Sequence, residues 1–179
     1  MVTFAGKIIT TIALIAFAKN SCALGLNNIF SDPASGIYAD KLVLTGGYAV
    51  TDGIWRDNRE KAVGEPKVNF AGRYWVALHS CGAECRYYSM LDLSTGVESR
   101  ALDMFSTTDP PSKTRDGNSY ITSLETRAQS KLLIAHYHVT LNSSGAEECR
   151  ERVFVLKKFS LIPVTKTKIG CTTMQNISK

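Results

Sequence analysis

What most limits the fold of this chain is a two-residue hydrophobic rhythm, clearest at Leu133, Ala135, Tyr137, Val139 and Leu141. In a strand these five side chains share one face, so they form an apolar strip that has to be buried. Their neighbours Leu132, Ile134, His136, His138 and Thr140 make a mixed second face. A similar alternation puts Tyr74, Val76 and Leu78 on one side and Trp75, Ala77 and His79 on the other. Both of those faces are fairly apolar, which predicts a strand in the middle of a sheet. Residues 41–44, 86–93, 98–105, 120–126 and 152–162 read as further strands.

Short polar or glycine-bearing turns separate them: Thr45-Gly46-Gly47, Ser94-Thr95-Gly96, Asp116-Gly117-Asn118 and Ser143-Ser144-Gly145. The expectation is an all-β fold, an antiparallel sandwich or strongly twisted sheet with propeller-like hairpins. One short helix is expected over 58–63, capped by Asp57 and stopped by Gly64. Gly82-Ala83-Glu84-Cys85-Arg86 and Gly145-Ala146-Glu147-Glu148-Cys149-Arg150 each follow a histidine-bearing strand and lead into another, like two copies of one hairpin. Long loops are expected at 27–36, 51–66 and 107–119. The last holds Asp109-Pro110-Pro111 and then Lys113, Arg115 and Asp116, so prolines stiffen it while charge keeps it in water.

The first residues read as an export signal. Lys7 precedes an apolar run over 8–18, and Ser21-Cys22-Ala23 puts small residues where a signal peptidase cuts. Cleavage after Ala23 is expected; Ala23-Leu24-Gly25 offers a second small-x-small site. The run is too short to span a bilayer, which takes about 20 apolar residues, so no membrane span is expected. Residues 24–179 are then expected to form a single β domain, located in the periplasm or secreted. Losing Lys7 and Lys19 lowers the formal net charge from +5 to +3. Bases and acids alternate along the chain, as in Arg56-Asp57-Asn58-Arg59-Glu60-Lys61, which argues against a nucleic-acid partner.

Cys81, Cys85, Cys149 and Cys171 remain after such cleavage, and an even count in an oxidising compartment argues for pairing. Three connectivities are open to four cysteines. The expected pairs are Cys81 with Cys85, around a turn that Gly82 permits, and Cys149 with Cys171. In the chain-entropy view the short loop contributes about 2 kcal/mol and the longer one about 3.4 kcal/mol.

His136 and His138 share a strand face and could bind zinc with His79, but Leu132 and Ile134 make that face semi-buried and favour histidines satisfied by protein groups. No cofactor and no metal are expected. His79-Ser80-Cys81 alternates faces and is no triad, and no nucleophile elbow or His-Glu-x-x-His helix occurs. The expectation is a non-enzyme. Trp55 beside Arg56, in a charged glycine-bearing loop, has the composition of a partner-binding hot spot.

Asn69-Phe70-Ala71-Gly72-Arg73-Tyr74, Cys81-Gly82-Ala83-Glu84-Cys85, Asp92-Leu93-Ser94-Thr95-Gly96 and Cys149-Arg150 together carry a resemblance over roughly residues 68–162. In these motifs the chain resembles small exported β-rich proteins of Gram-negative bacteria. It is also similar to periplasmic immunity proteins, which block a cell-wall-attacking toxin delivered by a neighbouring cell. The resemblance implies no catalytic residue. It implies a protein partner, a cell-wall-degrading or cell-wall-modifying toxin. The surface expected to meet it is Trp55, Arg56, Lys113, Arg115 and Asp116, on the loops 51–66 and 107–119 that lie outside the resemblance or in its variable part. The alternatives are an envelope protein that binds glycan or peptidoglycan, and a histidine-based metal-dependent enzyme.

Overall fold

The computed structural model describes residues 36–82, 85–107 and 110–171. The expected export signal lies outside the described residues, as does all but the last residue of the loop expected at 27–36. The described chain is built of antiparallel strands, as its alternation predicts. A hairpin of β1 (Ala49–Thr51) and β2 (Ile54–Arg56) comes first. A three-stranded sheet follows, β3 (Tyr74–Ser80), β4 (Arg86–Asp92) and β5 (Glu98–Ser99), in that order. The second sheet holds β6 (Ser119–Thr126), β7 (Leu132–Thr140) and β8 (Glu147–Lys157). Two short strands, β9 (Ser160–Pro163) and β10 (Lys168–Ile169), both pair with β8.

The two sheets pack as a sandwich. Tyr74, Tyr88 and Met90 from the first meet Leu133, Ala135, Phe154 and Leu156 from the second. Phe70, Leu102 and Phe105 complete this cluster, with Phe105 edge-on to Phe154 at 5.2 Å between ring centres. Burial of the Leu133 and Ala135 face follows from its apolar strip, and area removed from water drives the packing. Ile134 and His136, on the other face of β7 between β6 and β8, are also buried.

The outer face of the first sheet is covered as well. Trp75, Ala77, Leu91 and Leu93 pack against Leu44, Tyr48, Val63 and Val68 from the chain that precedes β3. This corrects one expectation: β3 is an edge strand, paired along its length with β4 and bridged at Tyr74 to Phe70; Trp75, Ala77 and His79 are buried on one face, while on the other burial fades from Tyr74 to the exposed Leu78. On its free side the Asn69 carboxamide stands in for a strand: Oδ1 accepts from the Val76 N–H at 2.7 Å, and Nδ2 donates to the Val76 carbonyl at 2.8 Å. A side chain thereby satisfies backbone groups that an exposed edge would leave open.

Several element boundaries differ from expectation. Only Glu98 and Ser99 of 98–105 are strand; Arg100–Phe105 is a 3-10 helix whose first turn is capped by Ser99 Oγ accepting from Ala101 N–H. Leu102 and Phe105, three residues apart, are its buried pair, and a spacing of three suits that helix as well as a strand suits alternation. Residues 152–162 are two strands, not one: the chain reverses between Lys157 and Ser160, with Lys158 at φ 56°. The expected loop 51–66 contains β2, reached from β1 through an Asp52-Gly53 turn in which both residues have positive φ. Over 58–63 there is a tight turn instead of a helix, because Glu60 sits at φ 62°.

Residues 41–44 form an extended strap, joined to the sheet by the Val43 N–H on the Leu93 carbonyl. The strap requires the glycine at 96. A Cβ there would lie 2.7 Å from Thr45 Cγ2 and 2.8 Å from Val43 Cγ1, and its φ is +74°.

Candidate functional site

Both expected disulfides are present, Cys81 with Cys85 and Cys149 with Cys171. The first closes the β3–β4 connection and the second ties the end of the described chain to β8. Such bonds belong to an oxidising compartment. No helix among the described residues is long and apolar enough to cross a membrane.

The loop residues singled out from sequence fall into two groups. Lys113, Arg115 and Asp116 lie in the turn that leads into β6, and all three are exposed. This turn is tightly held. Thr114 and Asn118 bond each other through backbone and hydroxyl groups, and the Asn142 side chain donates to the Gly117 carbonyl while its N–H donates to Asn118 Oδ1. Asp116 is a brace: its two oxygens accept from Arg150 Nη1 and Nη2 at 3.2 and 3.0 Å, a fork-to-fork pair. The Arg150 guanidinium holds the Asp116 carboxyl well below the usual carboxylate range. Lys113 and Arg115 are left as outward cations on a fixed tip.

Trp55 and Arg56 are half-buried on β2, and Arg56 Nη1 donates to the Glu60 carbonyl at 2.8 Å. Among the described residues no hydrogen bond or ion pair joins them to the Lys113–Asp116 tip.

The three histidines do not converge. His136 lies between Glu125 and Glu151, with Nε2 3.7 Å and Nδ1 4.0 Å from their oxygens. His138 Nε2 is 2.9 Å from Ser123 Oγ, and burial pulls its pKa down. The Cys149 and Cys171 sulfurs come close to His136, but they are bonded to each other, which leaves no thiolate for a metal there.

His79 belongs to the first sheet and makes the arrangement that sequence reasoning missed. Its Nδ1 is 2.8 Å from Asp57 Oδ2 and its Nε2 is 2.8 Å from Ser89 Oγ. Asp57, His79 and Ser89 are 5, 2 and 3 % exposed. Strand register creates the contact: Ala77 pairs with Ser89 and His79 with Tyr87, so His79 and Ser89 are diagonal neighbours on one sheet face. Asp57 arrives from the turn after β2, where its Oδ1 accepts from the N–H groups of Arg59 and Lys61 at 2.9 and 3.0 Å. Burial alone would raise the Asp57 pKa, but the His79 hydrogen bond and those two N–H groups outweigh it and hold the carboxyl low. An ionised Asp57 only accepts, so His79 Nδ1 carries a proton and donates it.

Tyr87 stacks on the imidazole, 4.4 Å between centres and 8° between planes, and Tyr48 Oη lies 3.1 Å from Ser89 Oγ. A cavity of about 240 Å³ opens on this group, with Asn58, Arg59 and Glu98 also on its wall. The signal in the sequence was a serine between Tyr87 and Leu91 on an otherwise aromatic and apolar face, across from a histidine. The Asp57 partner left no such trace.

A wider cleft, about 960 Å³, runs between the 3-10 helix and the β8–β9 turn. Val97, Met104 and Phe159 on its walls are 60 to 67 % exposed. No family model matches the chain, and neither a curated protein nor a solved structure matches it at a significant level.

Proposed function

We propose that the protein is an exported inhibitor that binds an enzyme attacking the bacterial cell wall, in the manner of a periplasmic immunity protein, through the tip of the turn before β6. The observation that carries this reading is the bracing of that tip: Asp116 on Arg150, and Asn142 on Gly117 and Asn118, with Lys113 and Arg115 left exposed. A surface already held in one geometry loses little freedom on binding, which favours a tight complex. Enzymes that cleave cell-wall glycans carry a pair of carboxylates in an open cleft. Two exposed cations on a braced turn complement such a cleft in charge. The disulfides suit work outside the cytoplasm, and the resemblance over residues 68–162 points the same way.

The surface proposed is narrower than the five residues read from sequence. Lys113 and Arg115 touch the partner, Asp116 holds them in place, and Trp55 with Arg56 forms a separate patch. The test is inhibition. Purified protein is titrated into lysis of cell-wall sacculi by muramidases, including toxins delivered between neighbouring bacteria. Lysis by at least one such enzyme falls to background near one equivalent. Undiminished lysis by every enzyme of the panel at tenfold excess overturns the reading.

A further inference from the structure

We propose that Ser89, His79 and Asp57 form a nucleophile, base and orienting carboxylate that hydrolyse esters of short acyl groups. This goes beyond the inhibitor reading and does not depend on it, since His79 and Ser89 lie on the β3–β4 sheet, with Asp57 brought in from the turn after β2, and the cationic tip leads into β6 of the other sheet.

Geometry supports each role. Asp57 Oδ2 fixes the Nδ1–H tautomer of His79, which in the neutral ring leaves the Nε2 lone pair facing Ser89 Oγ at 2.8 Å. Asp57 cannot rotate away, because its other oxygen is held by two backbone N–H groups. The Tyr87 ring, parallel to the imidazole, keeps its plane aligned with Ser89. Tyr48 is the hydroxyl nearest Ser89 Oγ, and burial, the largest cause, raises its pKa, so it stays a donor at neutral pH. A histidine kept only for packing needs its two nitrogens satisfied and nothing more. Here the hydroxyl, the ring and the carboxylate all border one cavity.

In the reaction, Ser89 Oγ bonds to the ester carbonyl carbon while its proton passes to His79 Nε2. The carbonyl oxygen becomes an oxyanion that the Tyr48 hydroxyl stabilises by hydrogen bonding. The bond from carbon to the alcohol oxygen then breaks, and the alcohol leaves with the proton from His79. Water, deprotonated by the same nitrogen, attacks the acyl ester on Ser89; the carboxylic acid departs and the Ser89 hydroxyl is restored. The cavity of about 240 Å³ lies below the range of about 300 to 1,000 Å³ usual for drug-sized ligands, so it suits an acetyl-sized acyl group. The polar wall of Asn58, Arg59 and Glu98 is suited to a hydrophilic alcohol half.

The experiment uses the full disulfide-bonded protein. It is incubated with a small alkyl fluorophosphonate, then digested and mapped by mass spectrometry, and 4-nitrophenyl acetate turnover is followed in parallel. The expected result is one phosphonyl adduct on Ser89, with fluoride displaced, and ester turnover that falls at least about 100-fold in Ser89→Ala and in Asp57→Asn. Labelling of the unaltered protein does not depend on either variant folding. An adduct elsewhere, no adduct, or turnover that survives in folded Ser89→Ala overturns the proposal. Since neither substitution touches Lys113 or Arg115, inhibition of a muramidase by Ser89→Ala reports on the inhibitor reading separately.

Discussion

His79 Nδ1 lies 2.8 Å from Asp57 Oδ2, which ties strand β3 to a turn 22 residues earlier in the chain. Both side chains are almost fully buried, so neither can lose its partner cheaply. Removing one partner of such a pair typically costs about 3–5 kcal/mol, and His79→Ala is expected to fall in that range by urea denaturation.

The same pair sets a pH dependence. Burial alone would raise the Asp57 pKa, but the His79 bond and the Lys61 and Arg59 N–H groups hold it below the ordinary value. A carboxylate depressed in the folded state contributes its full stability above its unfolded pKa of about 3.9, and that contribution is lost as pH falls through the folded value. The wild-type melting temperature is therefore expected to exceed that of Asp57→Asn at pH 6, with the gap narrowing below about pH 4. A gap that stays constant down to pH 2 would contradict this.

Asn69 closes the free edge of β3 with two hydrogen bonds to Val76. Asn69→Ala leaves the Val76 N–H and carbonyl without those partners and is expected to cost about 2 kcal/mol. Asn69→Asp keeps an acceptor for the N–H but sets an anion against the carbonyl. It should be no more stable than the alanine variant, as read from urea midpoints at pH 7.

The two disulfides differ in the length of chain they close, with sequence separations of 4 and 22. The double replacement Cys149→Ser with Cys171→Ser is expected to cost about 3.4 kcal/mol, and Cys81→Ser with Cys85→Ser about 2 kcal/mol. Chemical denaturation of the two variants gives the order directly, and a reversed order refutes it.

Asp116 is about half exposed, so its bond to Arg150 is expected to govern local order and leave global stability unchanged. In Asp116→Ala, hydrogen exchange of the Gly117 and Asn118 amides should speed up on the order of tenfold while the melting temperature holds. Unchanged exchange would mean that Asn142 and Thr114 suffice to hold the turn.

Legibility in the sequence followed the range of the interaction. Alternation revealed β3, β4, β6 and β7 because period two is a property of adjacent residues, and the cysteine spacing allowed the observed pairing. Failure came where two periods coincide or where a turn has no marker. Leu102 and Phe105 satisfy a 3-10 helix, while Leu102 and Met104 on either side of Asp103 alternate like a strand. The β8–β9 reversal is made by Lys158, which takes positive φ without being Gly or Asn. The neighbours of His79 in sequence are Ser80 and Cys81, but its partners are Ser89, set by strand register, and Asp57, set by a turn. Lys113 and Arg115 could be read as exposed from composition; the Arg150 brace behind them could not.

Under the proposed inhibitor function Lys113 and Arg115 are the points of contact with a cell-wall-cleaving enzyme, and calorimetric titration of such an enzyme measures what they contribute. Against wild type, Lys113→Ala with Arg115→Ala is expected to weaken binding about 100-fold, two charge-assisted contacts of about 1.5 kcal/mol each. Wild-type affinity should also fall as salt rises. An affinity that the double variant leaves unchanged would contradict the account.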